Sequence, residues 1–130
     1  MILGIGTDII ELSRVGKAIE NKRFIDRVYT EKEQAYCESR GAQRVASYAA
    51  RWAGKEAVMK SFGTGLREGS LTEIEILPDD LGCPRVTLKG FWLELARSRN
   101  AGQVWISLSH ARAYATAQCI LERTEGGGRT

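Results

Sequence analysis

The chain is short of what an exported or zinc-binding protein would need. Its three cysteines, Cys37, Cys83 and Cys119, are far apart and odd in number. Such a set cannot close a disulfide framework, and no CxxC or Cys/His spacing offers a zinc site. Reduced thiols in a cytoplasmic protein are therefore expected. No run approaches eighteen apolar residues, so no membrane-spanning helix is expected. The N-terminus "MILGIGTDII" is apolar but has no basic n-region, and Asp8 interrupts it, so it does not read as a signal peptide. A strong charge excess is also missing: 19 basic against 16 acidic residues leave a net charge of +3. That suits an anionic ligand and falls far short of a nucleic-acid-binding tail. Repeats of 20–50 residues are absent.

What is present describes a globular protein, with 43% hydrophobic and 27% charged residues. A chain of 130 residues fits one domain and buries roughly two-thirds of its unfolded surface. That domain is expected over residues 1–123. Residues 124–130 contain no apolar side chain and are expected to form a disordered tail.

"ILGIGTDIIEL" (2–12) reads as a largely buried strand. Ser13 can cap a helix over 14–22, and "RFIDRVYT" reads as a short transition. "TEKE" (30–33) has the capping-box form and opens a helix that Gly41 ends. A longer helix covers 43–62. "LTEIEIL" (71–77) alternates at period two, with Leu71, Glu73, Glu75 and Leu77 on one face. "PRVTLKG" (84–90) returns as its hairpin partner. "FWLELARSR" (91–99) fits a helix, and "QVWISLSH" and "AYATAQCILE" fit two final strands. The sum is an α+β fold, a mainly antiparallel sheet packed with helices.

Several polar residues stand where apolar ones are expected. The stripe Val45, Tyr48, Ala49, Trp52, Ala53, Glu56, Met59, Lys60 keeps one helix face, yet it includes a carboxylate and an ammonium. An i,i+4 surface pair would explain both, at ~0.3–0.5 kcal/mol. Asp8 interrupts an apolar strand, and Gly4 and Gly6 on its own face clear space beside it. A buried carboxylate needs a cation, donors or a raised pKa; a strand end meeting solvent is the alternative. His110 closes a strand, where functional groups often sit. Two carboxylates with a lysine suit Mg²⁺ on a phosphate, because Mg²⁺ keeps waters and takes phosphate oxygens as ligands.

"GIGTDIIELSRV", "RWAGKEAVMKSFGTG" and "VWISLSHARAYATAQCIL" together resemble the three motifs of the holo-acyl-carrier-protein synthases, the small group of 4'-phosphopantetheinyl transferases. Order, spacing and length agree nearly to residue 123. The resemblance implies transfer of the phosphopantetheine arm of coenzyme A to a serine of apo acyl carrier protein, releasing adenosine 3',5'-bisphosphate. It also implies the family's α+β fold and a homotrimer with active sites at subunit interfaces. Carried over by position, Asp8 and Glu56 resemble the Mg²⁺ ligands and Lys60 the lysine at the diphosphate. His110 resembles the histidine beside the coenzyme, and Gly63, Thr64, Gly65, Gly82 and Pro84 fall in segments lining its nucleotide end. Glu56, Asp8 or a metal-bound water could act as the general base.

One departure stands out. The family often carries a Lys/Arg pair before the central helix for the coenzyme's 3'-phosphate. Here "SRGAQRVASY" has no adjacent pair, and Arg44 and Arg51 are assigned to that phosphate. The carrier partner is expected on the first helix, where the family docks it. The stretch carries Arg14, Lys17, Lys22, Arg23 and Arg27 against Glu20 and Asp26. Arg14, Lys22, Arg23 and Arg27 would meet carrier carboxylates, with an exposed Phe24 as apolar anchor. Two other readings remain open: a non-catalytic anion-binding module, and a transferase serving the carrier domain of a large synthase.

Overall fold

The structure, a computed structural model, describes residues 1–63 and 68–124. In chain order its elements are β1 (Ile2–Glu11), α1 (Leu12–Ala18), α2 (Lys22–Val28), α3 (Glu31–Glu38), α4 (Arg44–Phe62), β2 (Ile74–Pro78), β3 (Pro84–Leu88), α5 (Gly90–Ser98), β4 (Ala101–His110) and β5 (Tyr114–Arg123). Strands β1, β5 and β4 form an antiparallel sheet in that order, and β2 pairs with β3 as a separate hairpin. The α+β expectation holds.

The sheet has one covered and one open face, as period-two alternation requires. Gly4, Gly6, Asp8 and Ile10 share a face with Ala115, Ala117, Cys119 and Leu121 of β5, and α4 packs across them. The opposite face leaves Ile5 67% and Ile9 61% exposed, with Trp105 and Ile120 beside them.

Helix α4 is the axis of the molecule, with the sheet, the hairpin, α1 and α3 around it. It is not the one-sided amphipathic helix that the stripe suggests. From Ala46 to Phe62 every residue is buried except Trp52, Glu56 and Lys60. These are four residues apart and so form one line along the helix. Glu56 and Lys60 are therefore not polar intruders in the core; they occupy the single strip that the core leaves open.

Four local expectations change. Strand β1 is not largely buried: only Gly6 is, and Ile5 and Ile9 lie on the uncovered face. "RFIDRVYT" is mostly helical: the Asn21 side chain accepts the Arg23 N–H at 2.9 Å and starts α2. Helix α1 begins earlier and ends sooner than 14–22, at Leu12 and Ala18, without a side-chain cap from Ser13. Residues 71–73 form a 3₁₀ turn rather than strand, because Ser70 and Glu73 complete a capping box there. Glu75 consequently lies buried, accepting from Thr30 Oγ1 at 2.7 Å and Lys89 Nζ at 3.4 Å. The capping box at Thr30 forms as read, with Glu33 N–H on Thr30 Oγ1 and Thr30 N–H on Glu33 Oε1.

All three thiols are free. Burial pushes the Cys37 thiol up to about 12 and also raises that of Cys119, whereas Cys83 is exposed. Of the expected tail, Thr124 is ordered by its N–H bond to Asn100 O at 2.7 Å. Residues 125–130 lie outside the described residues, as do Thr64 and Gly65.

Candidate active site

The two glycines of β1 set the geometry of the site. A Cβ on Gly4 would lie 1.9 Å from Ser61 O, and one on Gly6 would lie 1.9 Å from Ala57 O. Strand and helix thus meet backbone to backbone, and the space these glycines clear belongs to α4 rather than to a ligand. Two residues further, the same strand face carries Asp8 beside the exposed line of α4. Lys60 Nζ donates to Asp8 Oδ1 at 3.0 Å and to Thr7 O at 3.1 Å. The Asp8 side chain is 15% exposed and that of Lys60 47%, so this pair is solvent-screened and of modest worth to stability.

Asp8 and Glu56 line one groove of about 440 Å³, walled by Ile10, Arg14, Phe24 and Trp52. Across the Trp52–Glu56 line lies a second groove of about 420 Å³, lined by Arg27, Met59, Gly69, Ser70 and Leu71. Glu56 borders both. Every donor that the pair offers is a carboxylate oxygen, the chemistry of a hard cation. No group of three or more His, Cys, Asp or Glu stands together among the described residues.

A third groove, about 290 Å³, gathers Arg51, Gly82, Pro84 and His110. It shares no lining residue with the other two. Arg51 is buried; its Nε donates to Ile76 O at 3.2 Å, and its guanidinium lies 4.5 Å from the centre of the Tyr36 ring. Asp8 and His110 belong to the same sheet but are separated by β5, since Asp8 pairs with Ala117 and His110 with Ala115. Two strand spacings, roughly 10 Å, therefore lie between their strands.

Arg44 does not line this groove. Its Nε donates to Glu38 Oε1 at 2.8 Å, and its guanidinium lies over the Tyr48 ring. Arg44 and Tyr48 together hold the Glu38 carboxyl below its ordinary range. Arg40, four residues before Arg44, lines the groove instead, with Gln43 and Ser47. What separates the two arginines is the position of Glu38 at the end of α3, which no local pattern encodes.

The basic stretch also divides. Arg14 and Phe24 line the Asp8–Glu56 groove and Arg27 the neighbouring one. Lys22 is engaged by Asp26 at 2.6 Å and Gln34 at 3.3 Å, and Arg23 lines neither groove. Phe24 is half-buried rather than exposed, its ring 5.8 Å from that of Trp52. Gly63 follows α4 with φ 121°, a conformation that glycine adopts without strain.

A carboxylate pair in one groove with a lysine bonded to one of its members, and arginines with a histidine in another, suits a substrate bearing several phosphates. On an α+β scaffold such a pair of grooves suits a small enzyme of phosphate-group chemistry. Residues 4–119 match the 4'-phosphopantetheinyl transferase superfamily. The chain is 49% identical over 120 residues to the holo-[acyl-carrier-protein] synthase of Ruminiclostridium cellulolyticum, covering 90% of each chain. Its structure is similar to the holo-[acyl-carrier-protein] synthase of Neisseria meningitidis, with TM-score 0.84 and 33% identity over 95% of this chain and all of that one. It is also similar to the enzyme of Bacillus anthracis in complex with CoA (3',5'-ADP), with TM-score 0.80 and 36% identity over 95% of this chain and 99% of that one. The chain belongs to the 4'-phosphopantetheinyl transferase superfamily.

Proposed function

We propose that this chain, as a single domain over residues 1–123, transfers 4'-phosphopantetheine from coenzyme A to a serine hydroxyl of apo acyl carrier protein. The observation that carries the proposal is that Asp8 and Glu56 line one groove, with Lys60 donating to Asp8 at 3.0 Å, in a member of this superfamily. In the reaction the serine oxygen bonds to the β-phosphorus and the bridging P–O bond breaks. Adenosine 3',5'-bisphosphate leaves with that oxygen, and the serine proton passes to a base. Asp8 and Glu56 would hold Mg²⁺, their donor set fitting a hard cation that fills its other positions with water and phosphate oxygens. When bound, Mg²⁺ would neutralise charge on the diphosphate. Lys60 supplies a further positive charge where the leaving oxygen develops negative charge, so most of the catalysis is positioning and electrostatics. Glu56, bordering both grooves, and Asp8 are the side chains available to take the serine proton. Arg51 and His110, with Gly82 and Pro84, would receive the nucleotide end; Arg40 rather than Arg44 is the second cation facing its 3'-phosphate. The test is release of adenosine 3',5'-bisphosphate that requires both coenzyme A and apo carrier. Release without carrier, or none with both present, removes the proposal.

The enzyme is proposed to work as a cytoplasmic homotrimer with active sites between subunits. Two observations support this. The open sheet face carries Ile5, Ile9, Trp105 and Ile120 exposed, and the Asp8 and Arg51 grooves are separate on one chain, so that a neighbour's groove could complete each site. Light scattering should give three chains per particle, and Ile5→Glu with Ile9→Glu should give monomers that have lost transfer. A fully active wild-type monomer would contradict the trimer.

The carrier is proposed to dock beside these grooves, where Arg14 and Arg27 each stand in a wall. Acyl carrier proteins are acidic, and rim charges chiefly set encounter rate and salt sensitivity. Arg14→Glu should raise the carrier KM by roughly tenfold at low salt, and the difference should shrink at physiological salt, where the Debye length is about 8 Å. Arg23→Glu, away from both grooves, should do less, and coenzyme A affinity should stay near wild type in each. Initial rates against carrier concentration at two salt concentrations decide it. A wild-type carrier KM and salt slope in Arg14→Glu would place the carrier elsewhere.

A further inference from the structure

The segment "RWAGKEAVMK" contains one charged residue to which the roles above assign nothing. Lys55 adjoins Glu56, yet neither its side chain nor that of Glu33, its partner, is exposed at all. An ammonium has three N–H donors, and here three acceptors take them: Glu33 Oε1 at 2.8 Å, Leu71 O at 2.9 Å and Ile74 O at 2.6 Å. None is left for a phosphate oxygen. Glu33 is occupied in the same way, since its Oε1 also accepts the Thr30 N–H at 2.9 Å and its Oε2 the Ile76 N–H at 2.7 Å.

A buried ion pair of this kind adds little net stability over apolar residues of the same volume, and its clearer use is to fix one arrangement over others. The arrangement it fixes is specific. Leu71, with Gly69 and Ser70, is the wall opposite α4 in the groove that Glu56 and Met59 border. The chain leaves α4 at Phe62 and returns at Leu71, so the returning end is fastened to the helix through the residue next to Glu56. Glu33 fastens α3 to β2 through the same pair.

We propose that Lys55 is a positioning residue for the transfer reaction. Through its bonds to Leu71 O and Ile74 O it holds the Gly69–Leu71 wall at a set distance from Glu56, and it touches no substrate atom itself. The inference rests on the transferase function proposed above. The two lysines of the motif thereby have different roles, Lys60 exposed and bonded to Asp8, and Lys55 holding the groove's shape.

The experiment pairs Glu33→Gln with Lys55→Met, which removes the tether to both carbonyls and leaves no unpaired charge buried. The double variant is expected to melt cooperatively and to lose kcat by roughly 10- to 100-fold, the scale of a displacement near 1 Å at a reacting centre. Its KM for coenzyme A should stay within about twofold of wild type, because the groove of Arg51 and His110 contains none of the tethered residues. A folded double variant with wild-type kcat, or one whose loss lies wholly in KM, overturns the positioning role. If the double variant does not fold, Leu71→Gly loosens the same wall without touching the buried pair. The same loss of kcat is expected there, and a wild-type kcat overturns the proposal. The wild-type protein in the same assay separates the two levels: no transfer by it overturns the transferase reading along with this one, whereas transfer by wild type and equally by the variants overturns this one alone.

Discussion

Asp8→Asn and Glu56→Gln are each expected to lose transfer by roughly 10²-fold or more at ordinary Mg²⁺, the range seen when a group stabilising developing charge is removed. Both substitutions keep shape and remove charge. Neither should alter the fold much, since both carboxylates border an open groove and the Asp8–Lys60 pair is partly solvated. Thermal melts should therefore stay close to wild type while kcat falls, and chelation of Mg²⁺ should silence the wild-type enzyme reversibly. Raising Mg²⁺ should rescue the variants only in part, because the missing ligand charge weakens binding and the remaining carboxylate still places the ion. Wild-type kcat in Asp8→Asn, or full activity in EDTA, would remove the metal from the account.

Gly6→Ala should destabilise the protein by about 3 kcal/mol, the upper end of what overpacking does in a rigid interior. The three nearest atoms to the added methyl, at 1.9, 2.8 and 2.9 Å, are all backbone of Ala57 and Ser61. A helix backbone cannot step aside as a flexible side chain can, so β1 must lift from α4. Because Asp8 lies two residues along the same strand face, transfer should fall beyond what the loss of folded protein explains. Gly16→Ala is the control. Its Cβ would meet Val45 Cγ1 at 3.6 Å, an ordinary contact, and alanine suits a helix better than glycine. Denaturant melts of the two variants provide the comparison. Equal stability for both would mean that β1 and α4 are not packed as described.

The sequence was most legible where a pattern is local. The span of α4, the Thr30 capping box, and strands β4 and β5 follow from spacing and cap residues within a few positions of each other. Helix α2 escaped because its start depends on one Asn21 side chain, and seven residues carry too little periodicity to announce a helix. The 3₁₀ turn at Leu71–Glu73 escaped because its residues alternate as a strand would, and the Ser70 cap overrides that pattern. Asp8, Glu56, Lys60 and His110 were singled out through the family's motifs. Their surroundings were not. Counting apolar neighbours along α4 made Glu56 and Lys60 look inward, because nothing local tells that Ser47, Arg51, Lys55 and Ser61 are buried as well. That burial is supplied by α3, the hairpin and the sheet, elements distant in sequence. The same distance hid the Lys55–Glu33 pair, 22 residues apart, and the choice of Arg40 over Arg44.

The most direct measurement of transfer is the intact mass of an apo acyl carrier protein after incubation with this enzyme, coenzyme A and Mg²⁺. Wild-type protein should add one phosphopantetheine to the carrier. With the carrier's acceptor serine changed to alanine, or with Glu56→Gln enzyme under the same conditions, the mass should remain that of the apo form. An unchanged carrier mass with wild-type enzyme, or an equal gain with Glu56→Gln, would contradict the proposed mechanism of transfer.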